Sequence, residues 1–183
     1  MNEKLNISGI VNDSIVDGPG LRYTIFTQGC YHNCEGCHNP QTHDPHKGKL
    51  VDIETFIEDI RKNPLLDGVT FSGGEPFLQA GVLGTLGLKI KDEFPNMNIV
   101  TYTGYTFEEI LKHINNGSLD YAKLLGITDL LIDGRFDITK KSLDIKFRGS
   151  SNQRILLAQE SFKESRAVDV SNNYDECEKE ILK

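Results

Sequence analysis

The chain has 183 residues, 38% of them apolar and 26% charged, and a formal charge of −7. That length suits one domain with a full hydrophobic core, and no apolar run approaches the roughly 20 residues that span a bilayer. The negative balance weighs against a nucleic-acid backbone as partner, because counterion displacement needs a positive surface. Basic residues are scattered, apart from a cluster at Lys140, Lys141, Lys146 and Arg148 that reads as a solvated loop. The opening Met1-Asn2-Glu3-Lys4 is polar and lacks the apolar run of a signal peptide, so a cytoplasmic location is expected.

In chain order, residues 5–11 read as an edge strand, followed by a strong apolar strand over 21–27. A helix is expected over 52–62, where Ile53, Phe56, Ile57 and Ile60 recur at spacings of three and four behind Asp52 as N-cap. Strand 69–71 comes next, then a helix over 82–94 that Gly84 and Gly87 weaken. Strand 99–102 precedes a helix over 106–114, which Thr106 and Glu109 open as a capping-box pair. A short helix over 118–125 is closed by Gly126, strand 130–132 follows, and 154–157 adds a further edge.

Strand, helix and strand alternating about every 30 residues argue for parallel βαβ units. A complete eight-fold barrel needs ~250 residues. The expected fold is therefore α/β, a partial, open (βα) barrel with a mainly parallel sheet. Residues 1–160 are expected to form this domain, and 161–183 to be a mobile polar tail with a short helix near 176–182.

In such folds ligands bind at the carboxyl ends of the strands. The unusual residues fall there, in loops 28–40, 72–76, 103–105 and 133–136. Of four cysteines, Cys30, Cys34 and Cys37 lie in one loop as C-x3-C-x2-C, and Cys177 is distant. A disulfide framework spreads its cysteines; crowded thiols in one loop read as metal ligands. Three thiolates on a cubane cluster leave one iron open, whereas structural zinc takes a fourth ligand, here His32, His38, His43 or Cys177. Spacing alone leaves both open, and a zinc-stabilised binding module or a thiol redox protein remain alternatives of other classes.

The C-x3-C-x2-C loop after one strand, with Gly73-Gly74-Glu75-Pro76 ending the next, resembles the radical S-adenosylmethionine superfamily. The resemblance implies a [4Fe–4S] cluster on Cys30, Cys34 and Cys37, and S-adenosylmethionine on its open iron. It also implies contacts to that ligand from Gly73, Gly74 and Glu75. Many members place an aromatic residue before the third cysteine, facing the adenine; here Gly36 stands there, beside Cys37 and His38, so Tyr31, His38 and Tyr102 are candidates for adenine packing.

Asp17-Gly18-Pro19-Gly20-Leu21-Arg22 is similar to the activating enzymes of glycyl-radical proteins. Thr101-Tyr102-Thr103-Gly104-Tyr105, Leu131-Ile132-Asp133-Gly134-Arg135-Phe136 and Phe147-Arg148-Gly149-Ser150-Ser151-Asn152-Gln153-Arg154 resemble the activating components of anaerobic ribonucleoside-triphosphate reductases. The resemblance runs from about residue 11 to 155; activases of other glycyl-radical enzymes, such as pyruvate formate-lyase, are the alternative. It implies the reductase large subunit as partner and a low-potential electron donor such as flavodoxin. Asp133 and Arg135, two apart on one face of a strand end, are candidates for the ligand's ammonium or ribose and its carboxylate. Arg148, Asn152 and Gln153 are candidates for the entrance of the partner's glycine loop.

Overall fold

The computed structural model describes residues 3–174. Its strands are β1 (Lys4–Ser14), β2 (Arg22–Thr27), β3 (Lys49–Asp52), β4 (Gly68–Gly73), β5 (Asn98–Tyr102), β6 (Leu130–Asp133) and β7 (Arg154–Leu157). The helices are α1 (Ile53–Arg61), α2 (Ala80–Glu93), α3 (Phe107–Asn115), α4 (Leu119–Ile127) and α5 (Ala158–Glu164). One open seven-stranded sheet runs β3-β1-β2-β4-β5-β6-β7.

Pairing is parallel only in the middle, from β2 through β4 and β5 to β6. The flanking pairs β1–β2, β1–β3 and β6–β7 are antiparallel. The mainly parallel sheet of the sequence reading is thus confined to the four central strands. Antiparallel neighbours need no crossover helix, so the periodic strand–helix pattern does not report them.

Alternation along the central strands buries both faces. Val69, Phe71, Ile99 and Leu131 pack with α1, α2 and α4 through Phe56, Ile60, Leu83, Leu86 and Leu124. Val100, Leu130, Ile132 and Ile155 face the other way and are covered by Phe147, Val170 and Tyr174. Residues 161–174 are therefore not the loose segment expected: Ser161 is buried, Val168 O accepts from Leu157 N at 3.0 Å, and Tyr174 packs edge-on to Phe147. Cys177 and the helix expected near 176–182 lie outside the described residues.

The expected caps form. Asp52 accepts from the Glu54 amide at 3.1 Å, and Thr106 and Glu109 make a reciprocal capping box at 3.2 and 2.9 Å. Helix α4 continues through Gly126 to Ile127 instead of stopping at the glycine, because its last turn packs Leu124, Leu125 and Ile127 into the core.

Arg22 opens β2 fully buried. Its guanidinium donates to Thr70 Oγ1 at 3.1 Å, Val69 O at 2.6 Å, Pro19 O at 3.2 Å, and both Asn98 O and Asn98 Oδ1. Thr70 Oγ1 in turn donates to Asp17 O at 2.8 Å. The Asp17–Gly20 turn is thereby pinned to the inner face of the sheet. Burial lowers Arg22 to about 10, leaving it a cation at neutral pH. No helix among the described residues is long and apolar enough to cross a membrane.

Candidate functional site

Parallel pairing of β2 with β4 runs in register from Arg22↔Gly68 to Thr27↔Gly73, so both strands end level. The cysteine loop leaves β2 there, and the Gly-Gly-Glu segment leaves β4. Backbone hydrogen bonds then join the two: Gly74 N donates to Thr27 O and Glu75 N to Gly29 O, each at 2.8 Å. Gly73 takes φ +94°, and a Cβ on Gly74 would lie 2.3 Å from Gly29 O. Only residues without a side chain allow this approach.

From the other side the loop folds back on itself. Gly29 N donates to Thr42 O at 2.7 Å, Cys30 N to His43 O at 3.0 Å, and Gln28 Nε2 to Gln41 O and Asp44 O at 3.0 and 2.8 Å. Held between these partners, Cys30, Cys34 and Cys37 are half-buried and line one cavity of about 460 Å³. Its other walls include Asp17, Phe26, Ser72, Gly73, Gly74, Tyr102, Thr103, Phe136, Arg148 and Gln153. All four loops singled out in the sequence contribute to it.

The thiols suit metal-bound thiolates. Burial pushes Cys30 up, against the backbone amides of His32 and Asn33, which pull it down. Burial likewise raises Cys34, opposed by the amide of Phe136 and the charge of Arg135. The Asn39 amide donates to Cys37 Sγ at 3.4 Å. An amide aimed at sulfur, as at Cys37, supports a ligating thiolate. In the same wall, His43 Nε2 and Arg148 Nε are buried without a hydrogen-bond partner, and unpaired buried polar atoms fit a polar occupant. Among the described residues, no three His, Cys, Asp or Glu side chains are gathered closely enough to hold a single metal ion by themselves.

Several residues expected at the ligand do not line the cavity. Glu75 is 1% exposed and does not line the cavity. Its carboxylate accepts from Phe77 N at 3.0 Å, Thr103 Oγ1 at 2.8 Å, Gly104 N at 2.8 Å and His32 Nε2 at 2.6 Å. Asp133, also buried, accepts from Phe107 N at 2.7 Å and from both Nε and Nη2 of Arg154. Arg154 is held protonated by Asp133 and Glu108. Arg135 is exposed and donates to Glu109 Oε1 and His32 Nδ1, each at 3.2 Å. Gly36 packs beneath Ile138 and Phe136, and Tyr31 is exposed outside the cavity. These side chains hold loops in place; an internal donor or acceptor already occupies each charged one.

Cys37, His38, Gly73, Gly74 and Tyr102 do line the cavity. His38 lies 4.8 Å from the Phe136 ring, an aromatic pair the sequence reading did not single out although Phe136 stood in a quoted motif. Burial pushes the Tyr102 phenol up. Gln153 fixes the last wall: its Oε1 accepts from Gly149 N and Ser150 N, and its Nε2 donates to Gly134 O. Asn152 donates to Arg135 O at 2.8 Å and stays outside.

Residues 16–156 match the family model of the 4Fe-4S single cluster domain. The anaerobic ribonucleoside-triphosphate reductase-activating protein of Enterobacteria phage T4 is 32% identical over 157 residues, covering 82% of this chain and 93% of that protein. Those of Vibrio cholerae serotype O1 and Escherichia coli K12 are 33% and 35% identical over 147 residues, covering 77% and 76% of this chain and 90% of each relative. The chain belongs to the anaerobic ribonucleoside-triphosphate reductase-activating protein family. Within that family's iron–sulfur domain, the matched span holds the cysteine loop and every other segment that lines the cavity. Among solved structures, QueE from Escherichia coli aligns with a TM-score of 0.45 and 17% identity over 56% of this chain and 54% of that one, a likeness too slight to bear on function.

Proposed function

We propose that this chain activates an anaerobic ribonucleoside-triphosphate reductase by radical S-adenosylmethionine chemistry. Cys30, Cys34 and Cys37 would hold three irons of a [4Fe–4S] cluster and leave the fourth for S-adenosylmethionine. One observation carries the proposal: the three thiols share a cavity with the Gly73–Gly74 strand end. When bound, the cluster supplies one electron to S-adenosylmethionine, whose carbon–sulfur bond breaks to methionine and a 5′-deoxyadenosyl radical that takes a hydrogen atom from a glycine of the reductase large subunit.

The chain's own work is positioning and exclusion of water. Gly73 and Gly74 offer bare backbone to the ligand, and the His38–Phe136 pair offers an aromatic wall beside Cys37. Asp17 and Arg148 supply the two opposite charges on the lining. Glu75, Asp133, Arg135 and Gly36 act one layer back, by holding the loops that carry these groups. The central parallel strands form part of a (βα) barrel in this proposal, and the electron comes from a low-potential donor such as flavodoxin.

The test is anaerobic reconstitution followed by EPR. Expected are about four irons per chain, a reduced-cluster spectrum that changes on adding S-adenosylmethionine, and a glycyl radical on the reductase. A colourless protein with stoichiometric zinc would sink the proposal. A radical formed only on a lyase would move the partner and leave the chemistry.

A further inference from the structure

Strand β1 is covered unequally by its two neighbours. Strand β3 pairs only with Lys4–Ile7, whereas β2 pairs from Ile7 to Ser14. Among the described residues, nothing pairs with the far edge of Ser8–Ser14. In an antiparallel pair alternate residues turn their N–H and C=O away from the partner. This edge therefore presents unused backbone groups, the template onto which another chain can pair.

A groove of about 270 Å³ lies at that edge. Ser8–Val11 of β1 line it, together with Phe26 of β2 and Asn39, Gln41 and Thr42 on the return of the cysteine loop. None of these residues is charged. Phe26, Asn39 and Thr42 also line the cavity of the thiols, so the two spaces adjoin.

Gly9 stands out in the groove wall. Glycine weakens a strand interior, and its usual reasons there are a positive φ, a bulge or the close approach of another backbone. Gly9 does not have a positive φ, and a Cβ built on it would meet nothing within 4 Å. The register shifts between Ile7 and Gly9, but a bulge needs glycine only where its backbone is left-handed. Nothing within the chain requires the glycine. Gly9 stands opposite Phe26 in the ladder, and opposed residues share a face, so a side chain there would enter the groove that Phe26 lines.

We propose that the Ser8–Ser14 edge takes an added β-strand from the reductase large subunit, the stretch of extended chain next to the glycine that gives up its hydrogen atom. The proposal rests on the function proposed above. That glycine has to be carried into the thiol cavity by its own backbone. A chain seated in the groove passes Phe26, Asn39 and Thr42, the residues that the groove shares with the cavity. Main-chain pairing supplies affinity without charged side chains, which matches the uncharged lining, and Gly9 leaves room for the added backbone.

Hydrogen exchange read by mass spectrometry tests this on the reconstituted and the metal-free chain, each with and without the intact large subunit. Ser8–Ser14 should exchange about ten-fold more slowly in the complex. Gly9→Val suits a strand and meets no neighbour at its Cβ. It should melt at or above the wild-type temperature and keep both its iron and its EPR response to S-adenosylmethionine. Its affinity for the large subunit should fall about ten-fold, and the yield of glycyl radical with it. Val11→Lys, at a position 40% exposed, should act in the same direction by placing a charge in the groove.

Unchanged exchange over Ser8–Ser14 in the complex, or wild-type affinity in both variants, would overturn the proposal. Slowing that follows the concentration of the chain alone would also overturn it, by giving the groove to a second copy. If the wild type takes up no cluster, the radical chemistry proposed above falls, and the metal-free samples still decide the groove.

Discussion

The amide of Glu75 donates to the carbonyl of Gly29 at 2.8 Å, and a methyl group on Gly74 would approach that same oxygen to 2.3 Å. The cysteine loop and the Gly-Gly-Glu segment are thus fitted to each other with no room for a carbon atom. Gly74→Ala should force them apart at a cost of about 1–3 kcal/mol. The melting temperature should fall by about 2–4 °C per kcal/mol. Iron uptake on reconstitution should drop below half of wild type, read by iron analysis beside a thermal melt. Unchanged iron content would mean that the loop tolerates displacement.

Arg154 joins buried Asp133 to Glu108 across the carboxyl end of β6. Arg154→Met should strand the Asp133 carboxylate and cost about 3 kcal/mol, the low end for a broken buried pair because the arginine is 28% exposed. Adding Asp133→Asn should recover part of that loss. Urea unfolding of the two variants measures both steps.

The carboxyl of Glu109 is held below its ordinary 4.5 chiefly by the Thr106 amide, with help from Arg135. Glu108 is lowered as well, chiefly by Arg154. A depressed carboxyl stabilises the fold above its unfolded value and loses that contribution as pH falls through the folded one. Stability should therefore decline as pH drops below about 4.5, and Glu109→Gln should flatten the curve there. Both carboxylates are more than a third exposed, so the effect should stay below about 1 kcal/mol. Chemical denaturation at stepped pH tests the slope.

Arg22 is a buried cation whose hydrogen bonds run to carbonyl, amide and hydroxyl oxygens. A lysine in its place has one nitrogen with which to satisfy acceptors on Pro19, Val69, Thr70 and Asn98. Arg22→Lys should cost about 2–4 kcal/mol, since each orphaned buried acceptor carries a penalty of roughly 1–3 kcal/mol. Proteolysis should then cut first near Asp17–Gly20, the turn that Arg22 holds down.

The parts of the fold legible in the sequence are those with local causes. The caps at Asp52 and Thr106 formed because their partners are two or three residues away, and the central strands announced themselves as apolar runs. Strand β3 did not, being four residues long with Leu50 exposed on an edge. Helix α5 has no side-chain cap to mark its start. In the site, strand-end position identified the loops, and these loops do line one cavity. Which way a carboxylate turns from a strand end is decided by distant partners. Glu75 meets Thr103 and Gly104, and Asp133 meets Arg154, 21 residues on. Motif and spacing could not report those meetings, so both side chains were expected at the ligand.

The joining of the cysteine loop to later segments also bears on how the protein is made. A nascent chain that has emerged through Cys37 carries all three thiols of the loop, yet its counterparts at Gly74, Glu75, Gly104 and Arg135 are still to be synthesised. Iron loading in the cell should for that reason follow synthesis of the chain past Arg135.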